Sequence, residues 1–137
     1  MKIGQVISWE RTFSEQDVRD FTRISGDAGG AHVEGDERGR LMVQGLLTAT
    51  LPTKVGGDLS FIARELNFQF LRPVFSGDTI TCEVTLTEIL PAQQYTHLAV
   101  KWVCRNQDGK EVMTGQGRGV IFPGADQRKA SLEESEA

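Results

Sequence analysis

The sequence predicts an α+β domain in which one curved antiparallel sheet wraps around a buried central helix. Three observations carry this prediction. Between Leu41 and Val55 the residues Leu41, Met42, Val43, Leu46, Leu47, Ala49, Leu51 and Val55 cover more than one helical face, as in a helix surrounded by protein. From Ile62 to Phe122 apolar and polar residues alternate in long runs, the period of half-buried strands. The 137 residues amount to about one domain on a prior of roughly 100 to 200 residues, so helix and sheet must share a single core.

The first clear element follows Phe13. Ser14 and Asp17 have the spacing of an N-cap and its reciprocal acid, and Phe13 and Val18 that of a hydrophobic staple, which starts a helix at about Glu15. Val18, Phe21 and Ile24 give it an apolar face, and Gly26 can close it in a left-handed conformation near Ser25. The stretch from Asp27 to Arg40 is glycine-rich and acidic after His32, and reads as a surface loop. The central helix follows from Leu41 to Val55, with a kink or restart expected at Pro52, which lacks the N–H for an interior helical bond.

Beyond Gly56 and Gly57 the period is two. Ile62, Leu66, Phe68 and Phe70 form one strand; Ile80, Cys82, Val84 and Leu86 alternate with threonines and Glu83 in a second. A third runs from Tyr95 to Arg105, and Asp108 and Gly109 mark a hairpin into a fourth, Glu111 to Phe122. The second half is therefore expected to be an antiparallel meander. Residues 1–123 are read as one domain and 124–137 as a disordered acidic tail. An open sheet leaves edge strands, which pairing into a homodimer would protect.

Composition excludes several classes. Fifteen basic against nineteen acidic residues give a net charge of −4, so no global basic field exists to hold a nucleic acid. The apolar stretch from Leu41 to Pro52 is too short and too interrupted to span a membrane, and residues 1–10 carry no secretory pattern. Cys82 and Cys104 form no CxxC unit and fit buried free thiols in a reducing cytoplasm.

Only His32 and His97 can supply an imidazole. His97 lies opposite the apolar set of its strand and is read as a surface residue. His32 follows Asp27 by five positions in the loop, where a turn can bring carboxylate and imidazole together for acid–base chemistry; the alternative is a helix-ending aspartate and a solvated histidine. Gly45, near a helix start, offers either a backbone N–H to an oxyanion or close packing against the sheet. The Thr53 hydroxyl either orients Asp27 or bonds its own helix. Gly115, Gly117 and Gly119 alternate on a strand, without the strand-to-helix context of a phosphate loop, and favour bulges or close packing. Glu34, Asp36 and Glu37 lack EF-hand spacing and read as solvated acids. Arg38, Arg40, Lys54, Arg64 and Arg72 can meet a phosphate or serve as surface charge.

The stretches SGDAGGAH (25–32) and RPVFSGDT (72–79), with Phe13 to Asp17 and Gly45 in the same order, resemble the MaoC-like family of (R)-specific enoyl-CoA hydratases, whose fold is the hot dog. The resemblance covers most of residues 5 to 122. It implies reversible syn addition of water to a trans-2-enoyl thioester carried on CoA or an acyl carrier protein, with no metal or redox cofactor. On the matched positions Asp27 and His32 would hold and deprotonate the water, the Gly45 N–H would receive the thioester oxygen, and Thr53 would support the aspartate. The sequence also departs from the family pattern, in a segment from His32 to Gly45 that is shorter than usual and at three sets of positions. Gly29 and Gly30 replace the family's Asn and Pro, Glu34 replaces an aspartate, and Gln44 replaces the histidine that often precedes the glycine. Thioester hydrolysis and a noncatalytic role, as an acyl-thioester binding module or the supporting subunit of a heterodimer, are the alternatives, although the 41–55 segment has no carboxylate of the kind expected for hydrolysis.

Overall fold

A computed structural model describes residues 1–122, so the predicted acidic tail, 124–137, lies outside the described residues. Five strands form one antiparallel sheet: β1 (Val6–Thr12), β2 (Ile62–Phe70), β3 (Thr79–Pro91), β4 (Thr96–Arg105) and β5 (Glu111–Ile121), in the order β1-β3-β4-β5-β2. Cross-strand register puts Ile7, Val84, Trp102, Gly115 and Phe68 in one row on one face, because directly paired residues point the same way. The neighbouring row carries Trp9, Cys82, Cys104 and Met113. The helices lie against this face, and their buried residues Val18, Leu47, Leu51 and Val55 join Ile80, Val84, Leu86 and Trp102 in one core.

The first helix, α1 (Glu15–Ser25), forms as its sequence predicts. Ser14 Oγ accepts from Asp17 N–H at 3.0 Å, Asp17 Oδ2 accepts from Ser14 N–H at 2.9 Å, and Phe13 and Val18 are both fully buried. Gly26 closes the helix at φ +75°, and its N–H donates to Thr22 O. Burial pushes the Asp17 carboxyl up, but the Ser14 N–H and the Arg11 guanidinium outweigh it and hold the group below the usual carboxylate range. The predicted apolar face is shorter than expected: Val18 and Phe21 pack into the core, whereas Ile24, in the last turn, is 71% exposed.

The central helix differs from expectation in where it starts. Leu41 to Gln44 are not helical. Met42 bridges Phe75, Val43 N–H donates to Val74 O and Ser76 N–H to Leu41 O, so the apolar run begins as an extended strap on the β2–β3 connection. Periodicity misleads here because a buried strap also needs consecutive apolar residues. Helix proper runs as α3 (Gly45–Thr48) and α4 (Thr50–Asp58), separated at Ala49. The expected restart thus falls just before Pro52, which then sits in the first turn of α4, where a missing N–H costs no helical bond. A short helix, α2 (Gly30–Val33), stands in the predicted loop.

The sheet also corrects the meander. β3, β4 and β5 are consecutive neighbours, but β2 pairs with β5 rather than β3. The side of β3 that β2 would need is taken by β1, paired from Val6↔Thr85 to Thr12↔Thr79. That strand is absent from the sequence reading; its signal is the half-buried alternation of Ile7, Trp9 and Arg11. The alternating glycines resolve to close packing. A Cβ at Gly115 would lie 2.6 Å from Trp102 Cε2, and one at Gly117 2.7 Å from Leu66 Cδ2, so the bare β5 backbone makes room for the indole.

Candidate active site

The site is assembled where the end of α1, the α2 loop and the strap converge. Past Gly26, Asp27 N–H donates to Ser25 Oγ at 3.0 Å, and Gly29 N–H reaches back to Asp27 Oδ1 at 3.4 Å, an Asx-type turn that reverses the chain toward His32. His32 Nε2 then stands 3.6 Å from Asp27 Oδ2, while its Nδ1 lies 2.6 Å from Met42 O. A carbonyl only accepts, so Nδ1 carries the proton and donates it. In the neutral ring Nε2 is left with a free lone pair facing the carboxylate. The imidazole is mostly enclosed, its side chain 16% exposed, whereas Asp27 is 52% exposed. Two acceptors thus face one another at a spot that water reaches.

The strap fixes the histidine and the residue before it: Met42 N–H donates to Ala31 O at 2.8 Å, and Met42 O receives His32 Nδ1. Three residues further on, Gly45 is the first residue of α3, where a backbone N–H has no acceptor within the helix. His32 and Gly45 line one open cleft of about 390 Å³, together with Thr48, Phe70 and Pro73. The Phe70 ring lies over Gly45, since a Cβ there would come 3.0 Å from Phe70 Cε1. The cleft is thus bordered by the imidazole of His32 on one side and by the first residue of α3 on the other, and Asp27 faces that imidazole from the more exposed loop.

Thr53 is not brought to Asp27. Its Oγ donates to Thr50 O at 2.9 Å, and it lines a separate apolar cavity of about 110 Å³ with Leu59, Phe61, Leu66 and Trp102. A threonine hydroxyl back-bonding its own helix is the alternative that prevails. Sequence reasoning missed Thr48 and Phe70. Thr48 is signalled only by its spacing of three from Gly45 on a helix, and Phe70 looks like an ordinary strand aromatic until β2 is placed at the sheet edge.

The other candidates serve the frame. Asp36 accepts from Arg40 N–H, Arg40 Nε and Arg38 N–H, and these donors, the Arg40 N–H foremost, hold its carboxyl below the usual range. Arg72 donates to Glu111 O, Lys54 pairs with Asp58, and Arg64 stacks on Tyr95, so these cations do not converge on a phosphate site. Among the described residues no group of three His, Cys, Asp or Glu side chains has the arrangement of a metal site, and no helix is long and apolar enough to cross a membrane.

Comparison with known proteins decides the family. The description "FAS1-like, dehydratase domain region" matches residues 3–115. The chain belongs to this dehydratase family. An (R)-specific enoyl-CoA hydratase of Rhodospirillum rubrum is 29% identical over 131 positions, covering 88% of each chain. A mitochondrial 3-hydroxyacyl-[acyl-carrier-protein] dehydratase, FERN, of Solanum lycopersicum is 25% identical over 130 positions, covering 88% of this chain and 78% of its own. Among solved structures, the (R)-hydratase from A. caviae involved in PHA biosynthesis is 26% identical with a TM-score of 0.77, covering 90% of this chain and 98% of that one. The hot-dog fold and the resemblance to MaoC-like hydratases both stand, and the dehydratase-family match reaches through α1, the cleft and most of the sheet.

Proposed function

We propose that this protein is a hydro-lyase that adds water reversibly, and with syn geometry, to a trans-2-enoyl thioester, giving the (R)-3-hydroxyacyl thioester. The observation that carries the proposal is the placement of the two His32 ring nitrogens, one on the Met42 carbonyl and one facing the Asp27 carboxylate. With Nδ1–H committed to Met42 O and Nε2 3.6 Å from Asp27 Oδ2, one water can donate a hydrogen to each acceptor. The water oxygen bonds to Cβ of the substrate, and the pair takes up one water proton. Electrons of the double bond move onto the thioester oxygen, where the Gly45 N–H and the start of α3 stabilise the enolate. The pair then returns that proton to Cα on the same face, so both hydrogens are accounted for and one water supplies the whole addition. An imidazolium formed at Nε2 is stabilised by the adjacent carboxylate.

The (R) configuration and the thioester class rest on the names of the relatives, which include both a CoA and an acyl-carrier-protein substrate. We further propose a homodimer, formed on the free edge of β2, where Ile62, Leu66, Phe70 and Leu71 are all at least 39% exposed. The test is loss of the enone absorbance of crotonyl-CoA, with chiral analysis of the product. Turnover to the (R)-3-hydroxy product is expected. Release of free thiol without hydration would replace the proposal with thioester hydrolysis. Saturable binding of enoyl thioesters of every chain length without turnover would replace it with a binding role.

A further inference from the structure

Between Met42, whose carbonyl receives His32 Nδ1, and Gly45, the first residue of α3, Gln44 is the least expected residue of the strap. It is a polar side chain with 1% exposure, set among core residues. Its Nε2 donates to Thr22 Oγ at 2.8 Å and to Val18 O at 3.3 Å, both on α1, while its Oε1 is buried with no partner. Its backbone carbonyl caps the start of α3, accepting from Leu47 N–H at 3.0 Å and Thr48 N–H at 3.1 Å. One residue therefore fixes two things: the helix start that presents the Gly45 N–H, and the helix whose last turn leads into Asp27. A buried unpaired acceptor is unfavourable, and a methionine would fill the same space without it, so packing does not account for glutamine here.

We propose that Gln44 is a positioning residue, tying α1 to the start of α3 so that the Asp27–His32 pair and the Gly45 N–H keep the separation the reaction needs. This rests on the hydratase reading above. Gln44 itself touches neither reacting atom. Its bond to Thr22 sets the position of Asp27 through one turn of α1, and its capping carbonyl sets Gly45. Thr22 Oγ in turn donates to Val18 O at 2.9 Å, so its single proton is spent and it is oriented to accept from Gln44. Small displacements of this kind fall on the chemical step more than on substrate binding.

The experiment compares the unmutated protein with Gln44→Met, Thr22→Val and the double variant. It measures kcat and KM for crotonyl-CoA hydration, melting temperature, and the backbone amide resonances of Gly45 and Asp27. For Gln44→Met the expected results are a kcat lower by about tenfold, a KM within about twofold, an unchanged or higher melting temperature, and displaced resonances at both positions. The double variant should be no slower than Gln44→Met alone, because both changes break one link. An unchanged kcat, or a loss that only accompanies melting, overturns the proposal. Absence of turnover in the unmutated protein would count against the hydratase reading alone; the resonances then decide, and unmoved Gly45 and Asp27 signals in Gln44→Met overturn the positioning role.

Discussion

Replacing Gly30 with proline should stiffen the loop that carries His32 without disturbing it. Gly30 is the first residue of α2, where a backbone N–H has no acceptor within the helix and proline's fixed φ is already helical. The preceding residue, Gly29, sits at φ −53°, ψ 146°, the extended conformation that a residue before proline prefers. A Cβ at Gly30 would meet nothing within 4 Å. Helix position, preceding backbone and space for a Cβ all suit proline, so the gain comes from the unfolded chain, which loses the freedom of a glycine. That gain is about 0.4 to 1 kcal/mol, or a rise of about 1 to 4 °C in melting temperature for a domain of this size. Thermal unfolding by circular dichroism measures it, and hydration kinetics on the same samples should show kcat at least retained, because the Asp27–His32 geometry is unchanged. A fall in melting temperature would refute the reasoning, since it would mean that α2 does not begin at Gly30 in solution.

Three further outcomes follow from the fold. Asp17→Asn should cost about 0.3 to 1 kcal/mol at pH 7, measured by urea unfolding. Because the folded Asp17 pKa is depressed, its contribution is present above the ordinary carboxylate pKa and lost as pH falls through the folded value, so the difference between the two proteins should vanish in strong acid. Cys82 and Cys104 face each other across β3 and β4 and are fully buried; their mutual hydrogen bond and burial push the Cys104 thiol up. Neither should react with a thiol reagent until denaturant is added, as followed by absorbance. If the proposed homodimer forms on β2, Leu66→Lys should shift its sedimentation coefficient from dimer to monomer, and an unaltered dimer would place the interface elsewhere.

Legibility in the sequence tracked how local the determining physics is. The α1 caps, the Gly26 stop and the β4–β5 hairpin each depend on a few neighbouring residues, and each stands where the sequence places it. The order of strands depends on which edge is free, and that turned on β1, whose exposed half and single tryptophan gave a weak alternation. The same distinction runs through the site. Asp27 and His32 are joined by a short loop turn and were visible as a pair. Gly45 comes to the same cleft only through the strap, which looks helical until its bonds to Phe75, Val74 and Ser76 are known. Thr53 was placed beside Asp27 by resemblance, but in this chain its hydroxyl is satisfied one turn back on its own helix. Gln44, conspicuous only as a departure from the family's histidine, gained a role once its partners on α1 were seen.

The central claim is that Asp27 and His32 act together on one water. The most direct measurement is kcat/KM for crotonyl-CoA hydration in Asp27→Asn, His32→Ala and the double variant, with circular dichroism to confirm that each is folded. If the pair is a unit, each single change should lower the rate by at least about a hundredfold, and the double change should cost little more than the worse single one. A folded Asp27→Asn protein with full activity, or losses that simply multiply, would contradict a shared water and with it the proposed mechanism.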